Sequence, residues 1–158
     1  AYRYQLRFGG IPIRPHLLAK GTVTLSFAAN LRYVRPIRHF VSALCALARF
    51  PEDETESIAL VTTEILNNSI EHGAKHPDDE IAMTMTVTSE LFRCEVVDPG
   101  RGGDAFARAA IVKASQMPGL EEPRGRGLFL IKSYMDEMTV SWDPKKGTRL
   151  VVSKGITS

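Results

Sequence analysis

The feature of this sequence that most restricts its fold is the alternation of two hydrophobic periods along the chain. Over Thr22–Ala28 the apolar residues recur at every second position, which predicts a strand. Over Leu31–Arg49 they recur at every third or fourth position, which predicts a helix. Asn30 stands where its side chain can cap that helix. The chain therefore begins its regular part with a strand followed directly by a helix.

The rest of the chain adds elements of both kinds. A second helix, capped by Asp53 or Thr55, is predicted to end at Gly73. The elements predicted after it are strands over Glu80–Thr88 and Leu91–Val97, a short helix within Ala105–Ser115, a helix over Gly127–Met138, and strands over Thr139–Trp142 and Thr148–Lys154. Because helices and strands are partly segregated, this order predicts an α+β fold with helices on one face of a mostly antiparallel sheet.

Residues 1–21 are predicted to be an N-terminal extension, and residues 22–158 the main domain. Tyr2–Phe8 alternates weakly, as an edge strand would, and the Gly-, Pro- and His-containing stretch from Gly9 to Gly21 is typical of a connector. No apolar run approaches the ~20 residues of a membrane span, and the formal net charge is only +2. Cys45 and Cys94 are far apart and are interpreted as reduced thiols. These properties give no general argument for nucleic-acid or membrane binding and favour a cytoplasmic protein.

The first candidate site is a polar stripe on the second predicted helix. Glu64, Asn68 and His72 follow one another at a spacing of four residues, so they share one side of the helix beside its apolar face. A carboxylate can orient or deprotonate a nucleophile, and an amide oxygen suits a hard cation such as Mg²⁺. An ordinary solvated helix face would show the same pattern, so the stripe alone does not distinguish a functional site from such a face.

The second candidate site is the run Asp98-Pro99-Gly100-Arg101-Gly102 at the end of a predicted strand. An ionised Asp98 only accepts hydrogen bonds, so it would favour the exocyclic amine of adenine over the carbonyl of guanine. Gly100 and Gly102 would let the backbone come close to a ligand. A plain Asp-Pro-Gly turn accounts equally well for this run taken alone.

The third candidate site is Arg124-Gly125-Arg126-Gly127-Leu128, where two glycines open a predicted helix. Free backbone N–H groups and the helix dipole there favour phosphate groups, and the two arginines add positive charge. A flexible linker leading into an amphipathic helix would give the same pattern. The run is not a Walker A loop, because no Gly-Lys-Ser/Thr follows, and it does not follow a strand in a βαβ unit.

In order and spacing these segments resemble the motifs of the GHKL superfamily of ATPases and kinases, which has the Bergerat fold and includes gyrase and histidine kinases. The resemblance includes the final Gly147-Thr148 strand and covers roughly Thr22 to Lys154. The Glu-x-x-x-Asn spacing, His72-Gly73 and the run Gly-Arg-Gly-Leu-Phe-Leu-Ile look most like the bacterial anti-sigma factor serine/threonine kinases.

The resemblance implies a two-layer α/β sandwich that binds ATP, in which three helices cover one face of a mixed, mostly antiparallel sheet. It also implies roles for single residues. Glu64 would be the general base, Asn68 the Mg²⁺ ligand, and Asp98 the residue that recognises adenine, with Thr148 in support. The other residues that it places at the nucleotide are His72, Gly73, Gly100, Gly102, Arg124, Gly125, Arg126, Gly127 and Leu128. The basic residue near the γ-phosphate would be Arg101, Arg124 or Arg126.

By the same resemblance, the expected function is that of an anti-sigma factor with ATP-dependent protein serine/threonine kinase activity. Its expected partners are a sigma factor and a STAS-type antagonist protein that it phosphorylates, with no direct contact to nucleic acid or membrane. A homodimer could form through the first strand and helix. Two alternatives stay open: a module that binds ATP and a protein partner without transferring phosphate, and the catalytic fragment of a larger sensor kinase.

Overall fold

A seven-stranded sheet forms the base of the fold in the computed structural model, which describes residues 6–8, 11–19, 21–119 and 126–157. The strands are β1 (Leu6–Phe8), β2 (Ile11–Ala19), β3 (Thr22–Ala28), β4 (Glu80–Val87), β5 (Leu91–Asp98), β6 (Glu137–Asp143) and β7 (Gly147–Gly155). Their order in space is β1-β2-β3-β4-β5-β7-β6, and each neighbouring pair is antiparallel.

Four helices lie in the described part of the chain. They are α1 (Val34–Leu47), α2 (Glu52–Asn68), α3 (Gly103–Ser115) and α4 (Arg126–Tyr134). Alternate residues of β3, β4 and β5 are fully buried in one core with the apolar sides of the helices, as Leu25, Met83 and Cys94 show. The expected α+β two-layer sandwich is therefore confirmed. The described residues contain four helices where three were expected to cover the sheet. The additional helix is α3, which the sequence predicted only as a short helix.

The start of α1 follows from a side-chain cap. Oδ1 of Asn30 accepts a hydrogen bond from the backbone N–H of Arg32 at 3.0 Å, as predicted. One 3₁₀ turn follows, and the α-helix begins at Val34. By contrast, neither Asp53 nor Thr55 caps α2, which begins at Glu52 after an extended Pro51. Three acidic residues in the first turn of α2 favour its N-terminus through the helix dipole instead.

The fourth helix is shorter than the sequence predicts, because tertiary contacts end it. Its pattern of apolar residues continues to Met138, but the helix ends at Tyr134. The backbone N–H of Asp136 donates to Ser153 O at 2.9 Å, and the Asp136 carboxylate accepts from the N–H of Gly155 at 2.7 Å. Both bonds join the chain to β7, so the next residues form β6 instead of a further helical turn.

The prediction of a connector before Thr22 is wrong for residues 11–19, which form β2. β2 pairs with β3 and supplies hydrogen-bond partners for a strand edge that would otherwise lack them. β1 then forms the edge of the sheet, and residues 2–5 of the predicted first strand lie outside the described residues. Among the helices that the structure describes, none is long and apolar enough to cross a bilayer.

Candidate active site

Two residues of the polar stripe lie on α2, and the third lies in the turn after it. Glu64 and Asn68 are half-buried, whereas His72 is exposed. The Nδ2 atom of Asn68 is buried and has no hydrogen-bond partner within the described residues. Leaving a buried polar group unpaired costs about 1–3 kcal/mol. The Asn68 amide is therefore suited to bind a group that comes from outside the chain.

The end of α2 is a π-helical turn, Ser69–Gly73, in which the N–H of Ala74 donates to Ser69 O at 3.0 Å. Such single turns occur mostly inside helices and frequently at functional sites. This turn presses Gly73 against Asp98, since a Cβ atom built on Gly73 would lie 2.1 Å from the Asp98 Cγ. No side chain can be accommodated there, which gives a physical reason for the His72-Gly73 motif.

Asp98 ends β5 and is 7 % exposed. Its Oδ1 accepts a hydrogen bond from the N–H of Gly100 at 2.8 Å. Burial raises the pKa of the Asp98 carboxyl, while hydrogen bonds from Gly100, from the Ser69 hydroxyl and from the backbone of Thr148 lower that pKa. The net direction is upward, so loss of water outweighs these bonds. The site thus holds a desolvated carboxyl group with acceptor capacity left over, which suits a ligand that donates hydrogen bonds.

The loop after Asp98 is packed against the turn between β6 and β7. Gly100 has φ +74°, and a Cβ on it would lie 2.8 Å from Gly147 Cα. The indole N–H of Trp142 donates to Gly100 O at 3.3 Å. Thr148, next to Gly147, is buried, and its Oγ1 has no partner in the described part of the chain. A second unpaired polar group therefore lies beside Asp98.

The N-terminus of α4 contacts Glu64. A Cβ atom on Gly127 would lie 2.5 Å from Oε2 of Glu64, so the carboxylate in its present position lies directly against this glycine. Burial is the main cause that raises the pKa of Glu64, and the charge of Glu71 adds to it. A carboxylate with a raised pKa is a better proton acceptor than an exposed one.

The other residues predicted at the nucleotide differ in their position and exposure. Arg126 is exposed at the first position of α4, and Leu128 is buried in the core. Gly102 is exposed at the start of α3, where a Cβ would lie 2.5 Å from Phe106 Cβ. The His72 ring lies 5.9 Å from the Phe106 ring, centroid to centroid. Arg124 and Gly125 fall outside the described residues.

Sequence reasoning missed two residues that complete this region. They are Ser69, which bonds to Asp98, and Glu71, which acts on Glu64. Arg101 was expected only as one of three candidates for the γ-phosphate contact, and its guanidinium bonds to the carbonyl of Glu71. The backbone N–H of Arg101 also donates to Gly73 O at 2.9 Å. Only Ser69 gave a usable signal, because it is a hydroxyl residue next to Asn68 on the apolar side of the helix.

A separate groove of about 660 Å³ lies between α1 and α2. Its walls are Leu31, Val34, Arg35, Arg38, His39 and Ser42 on the α1 side, and Thr55, Glu56, Ala59 and Thr63 on α2. The groove contains two arginines and one glutamate, and α1 itself carries no acidic residue. It approaches the polar stripe at Thr63, the neighbour of Glu64, and otherwise shares no residue with the Asp98 region.

The chain is similar in sequence to one protein family and to several named bacterial proteins. The family described as "Histidine kinase-like ATPase domain" matches residues 27–154. The chain is 27% identical to the serine-protein kinase RsbW of Listeria monocytogenes serotype 4a over 138 residues, which is 85% of this chain and 87% of that protein. It is also 27% identical to the anti-sigma F factor of Halalkalibacterium halodurans over 139 residues, with 87% and 94% covered. The anti-sigma F factor of a Thermoanaerobacter species is 28% identical over 135 residues, with 85% and 91% covered.

Proposed function

Because the chain belongs to the histidine kinase-like ATPase domain family, we propose that it is an anti-sigma factor with ATP-dependent protein serine/threonine kinase activity. In this proposal the protein binds a sigma factor and phosphorylates a STAS-type antagonist of the anti-sigma factor. The names of the relatives support it, since they include a serine-protein kinase and anti-sigma F factors. The proposed partners act on transcription, so we expect the protein to work in the cytoplasm, and we expect it to pair as a homodimer.

The observation that carries the kinase proposal is the contact between Glu64 and the start of α4. The N-terminus of a helix favours phosphate groups, so the proposed place for the ATP phosphates adjoins a half-buried carboxylate of raised pKa. Glu64 would take the proton of a serine or threonine hydroxyl as that oxygen bonds to the γ-phosphorus. The bond between the γ-phosphorus and the bridging oxygen would break, and ADP would leave.

At the other end of the site, Asp98 would accept a hydrogen bond from the adenine amine, with the Thr148 hydroxyl in support. Burial of Asp98 and the unpaired Oγ1 of Thr148 support this role. Gly73, Gly100 and Gly102 would shape the pocket. Arg124 and Arg126, on either side of Gly125, are the proposed contacts to the phosphates, and the exposure of Arg126 is compatible with that.

The test of the proposed function is phosphorylation of candidate antagonist domains, measured by mass spectrometry after incubation with this protein and Mg-ATP. We expect one phosphate on one serine or threonine with ATP, and little with GTP. If the wild-type protein binds ATP but phosphorylates none of its cognate antagonists, the module that binds ATP without phosphoryl transfer becomes the better description.

The chemistry of the Asn68 side chain fits a magnesium ion held together with phosphate. Its amide oxygen is a ligand type that Mg²⁺ accepts and would hold the ion beside the phosphates. Its buried Nδ2 donor, which has no partner in the described residues, would donate to a phosphate oxygen. When bound, Mg²⁺ would neutralise negative charge on the phosphate groups. Within the described residues, no cluster of three or more His, Cys, Asp or Glu forms an all-protein metal site. The proposed site therefore depends on Asn68 together with nucleotide oxygens.

Replacing Asn68 with alanine should lower the gain in ATP affinity that Mg²⁺ provides. We expect a loss of at least about tenfold, the usual scale for removing a group that supports a metal site. Calorimetry with ATP, in the presence and absence of Mg²⁺, measures this gain. Asn67→Ala is the matched control, because Asn67 is half-buried at the preceding position of α2 but faces another side. The same Mg²⁺ dependence in both variants would remove Asn68 from the site.

The groove between α1 and α2 is the proposed contact surface for a protein partner. Arg35 and Arg38 give its α1 wall a positive character, and Glu56 is the one acidic residue among those that line it in the described structure. Complementary charge steers association and adds specificity at such surfaces. The groove also reaches Thr63, so a segment bound there would lie close to Glu64. An acidic segment of the antagonist fits this surface best.

Charge reversal tests that surface. Arg38→Glu should weaken binding of the antagonist by about tenfold or more, since like charges brought together at an interface cost several kcal/mol. The control is Arg49→Glu, an equal change in charge just beyond the end of α1 and outside the groove. Affinity is measured by calorimetry at low and high salt. Equal losses in the two variants would mean that net charge, and not the groove, controls binding.

A further inference from the structure

Ser69 is a buried hydroxyl that the helix itself does not use. It is 5% exposed and begins the π-helical turn. Hydroxyl residues inside helices commonly bond back to the carbonyl four residues earlier. Thr62 and Thr63 do so, donating to Ile58 O at 2.8 Å and to Ala59 O at 3.1 Å. No such bond joins the Ser69 hydroxyl to its own helix in the described structure, and its partner is the Asp98 carboxylate.

The π-helical turn makes this contact available. The backbone bond from Ala74 to Ser69 closes the turn, and Gly73 then lies directly on the Asp98 carboxylate. Gly73 provides the space for the carboxylate, and Ser69 provides a donor to it. The two residues are four apart, so both reach Asp98 from the same side of the turn.

A count of hydrogen bonds shows what the Ser69 hydroxyl does. A carboxylate has about four acceptor positions. The N–H of Gly100, the backbone of Thr148 and the Ser69 hydroxyl act on Asp98. With these three in place the carboxylate cannot turn freely, and about one position is left for a donor from a ligand. Without Ser69, the restraints that remain on the carboxylate are the N–H of Gly100, the backbone of Thr148 and the contact with Gly73.

We propose that Ser69 is a positioning residue for nucleotide selection, which holds Asp98 in the orientation that accepts the adenine amine. This inference rests on the proposed function, in which Asp98 recognises adenine. It assigns the selectivity for adenine to a pair of residues, one from the π-helical turn after α2 and one from β5, instead of to Asp98 alone.

The test compares a ligand that contains adenine with one that does not. The affinities of ADP and of inorganic tripolyphosphate are measured by calorimetry for the wild type, Ser69→Ala and Asp98→Asn. Thr62→Ala is the control, because it removes a buried hydroxyl of α2 that bonds to Ile58 O within the helix. Circular dichroism checks that each variant is folded. Should Ser69→Ala unfold, Ser69→Cys, with a weak donor of similar size, takes its place.

We expect Ser69→Ala to bind ADP about tenfold more weakly, the scale of one hydrogen bond to a charged group, and to bind tripolyphosphate as the wild type does. Thr62→Ala should bind both ligands normally. An equal loss of ADP and tripolyphosphate affinity would assign Ser69 a purely structural role and overturn the inference. So would normal ADP binding by Ser69→Ala when Asp98→Asn binds ADP weakly. Normal ADP binding by Asp98→Asn would instead contradict the proposed role of Asp98 itself.

Discussion

Replacing Glu64 with glutamine should lower the rate of antagonist phosphorylation by about 10²–10⁴-fold, the usual contribution of a general base, while Mg-ATP is still bound. Glutamine keeps the size of the side chain and most of its hydrogen bonding, but it cannot accept the proton of the attacking hydroxyl. The close approach of Gly127 tolerates this change, because the new side chain is no larger. Binding of the sigma factor should also be retained.

The measurement is the single-turnover rate of phosphate transfer from ATP to the antagonist, with nucleotide affinity determined separately. Glu52→Gln is a matched control, since Glu52 is exposed in the first turn of the same helix, far from Asn68 along the chain. Phosphorylation by Glu64→Gln at the wild-type rate would exclude Glu64 as the base. A raised pKa of Glu64 also means that activity should fall as the pH drops through that pKa, because the base is then protonated.

Placing alanine at Gly73 should weaken ATP binding by about 10- to 100-fold, the scale of one lost hydrogen bond to a charged group. The new Cβ would lie 2.1 Å from Cγ and Oδ2 of Asp98, which is too short for a contact between non-bonded atoms. The carboxylate would have to turn away from its bond with Gly100, or the end of α2 would have to shift. In either case Asp98 would no longer face the adenine amine. Overpacking of this kind also costs about 1–3 kcal/mol of folding stability.

Calorimetry with ATP gives the affinity of this variant, and thermal unfolding gives its stability. Gly119→Ala is the control: it is the same substitution at an exposed glycine where a Cβ meets no described atom within 4 Å. A folded Gly73→Ala protein that binds ATP as tightly as Gly119→Ala would show that Asp98 does not need this glycine.

Most of the secondary structure could be predicted from local patterns. Thr22–Ala28 alternates with the period of a strand and forms β3 with those bounds. Asn30 is followed by a helix because its side chain can bond to a backbone N–H only two residues away. The failures occurred where a distant strand competed with the local pattern. Asp136 bonds to β7, so the chain leaves the helical conformation before that residue. Residues 11–19 pair with the edge of β3 and form a strand, although they contain two prolines.

The chemistry of the candidate site could also be predicted in part. The sequence supplied the identity of its functional groups: a carboxylate and an amide one turn apart, a second carboxylate at a strand end, and glycines around them. Side-chain chemistry and helical spacing are local properties, so the sequence alone is sufficient to predict these groups and their spacing. Nothing in the sequence indicates that Arg101 bonds to the π-helical turn, because that contact joins the turn to the loop after β5.

By itself, then, the sequence determined where strands and helices form and which groups could do chemistry, because both depend on a few neighbouring residues. Only the tertiary structure decided which of those groups meet. The contact of Gly73 with Asp98 requires α2 to end on β5, and the contact of Gly127 with Glu64 requires α4 to pack beside α2. The role of Ser69 likewise depends on a π-helical turn whose partner is on another element. Such contacts follow from the burial of the whole core, and local periodicity carries no information about them.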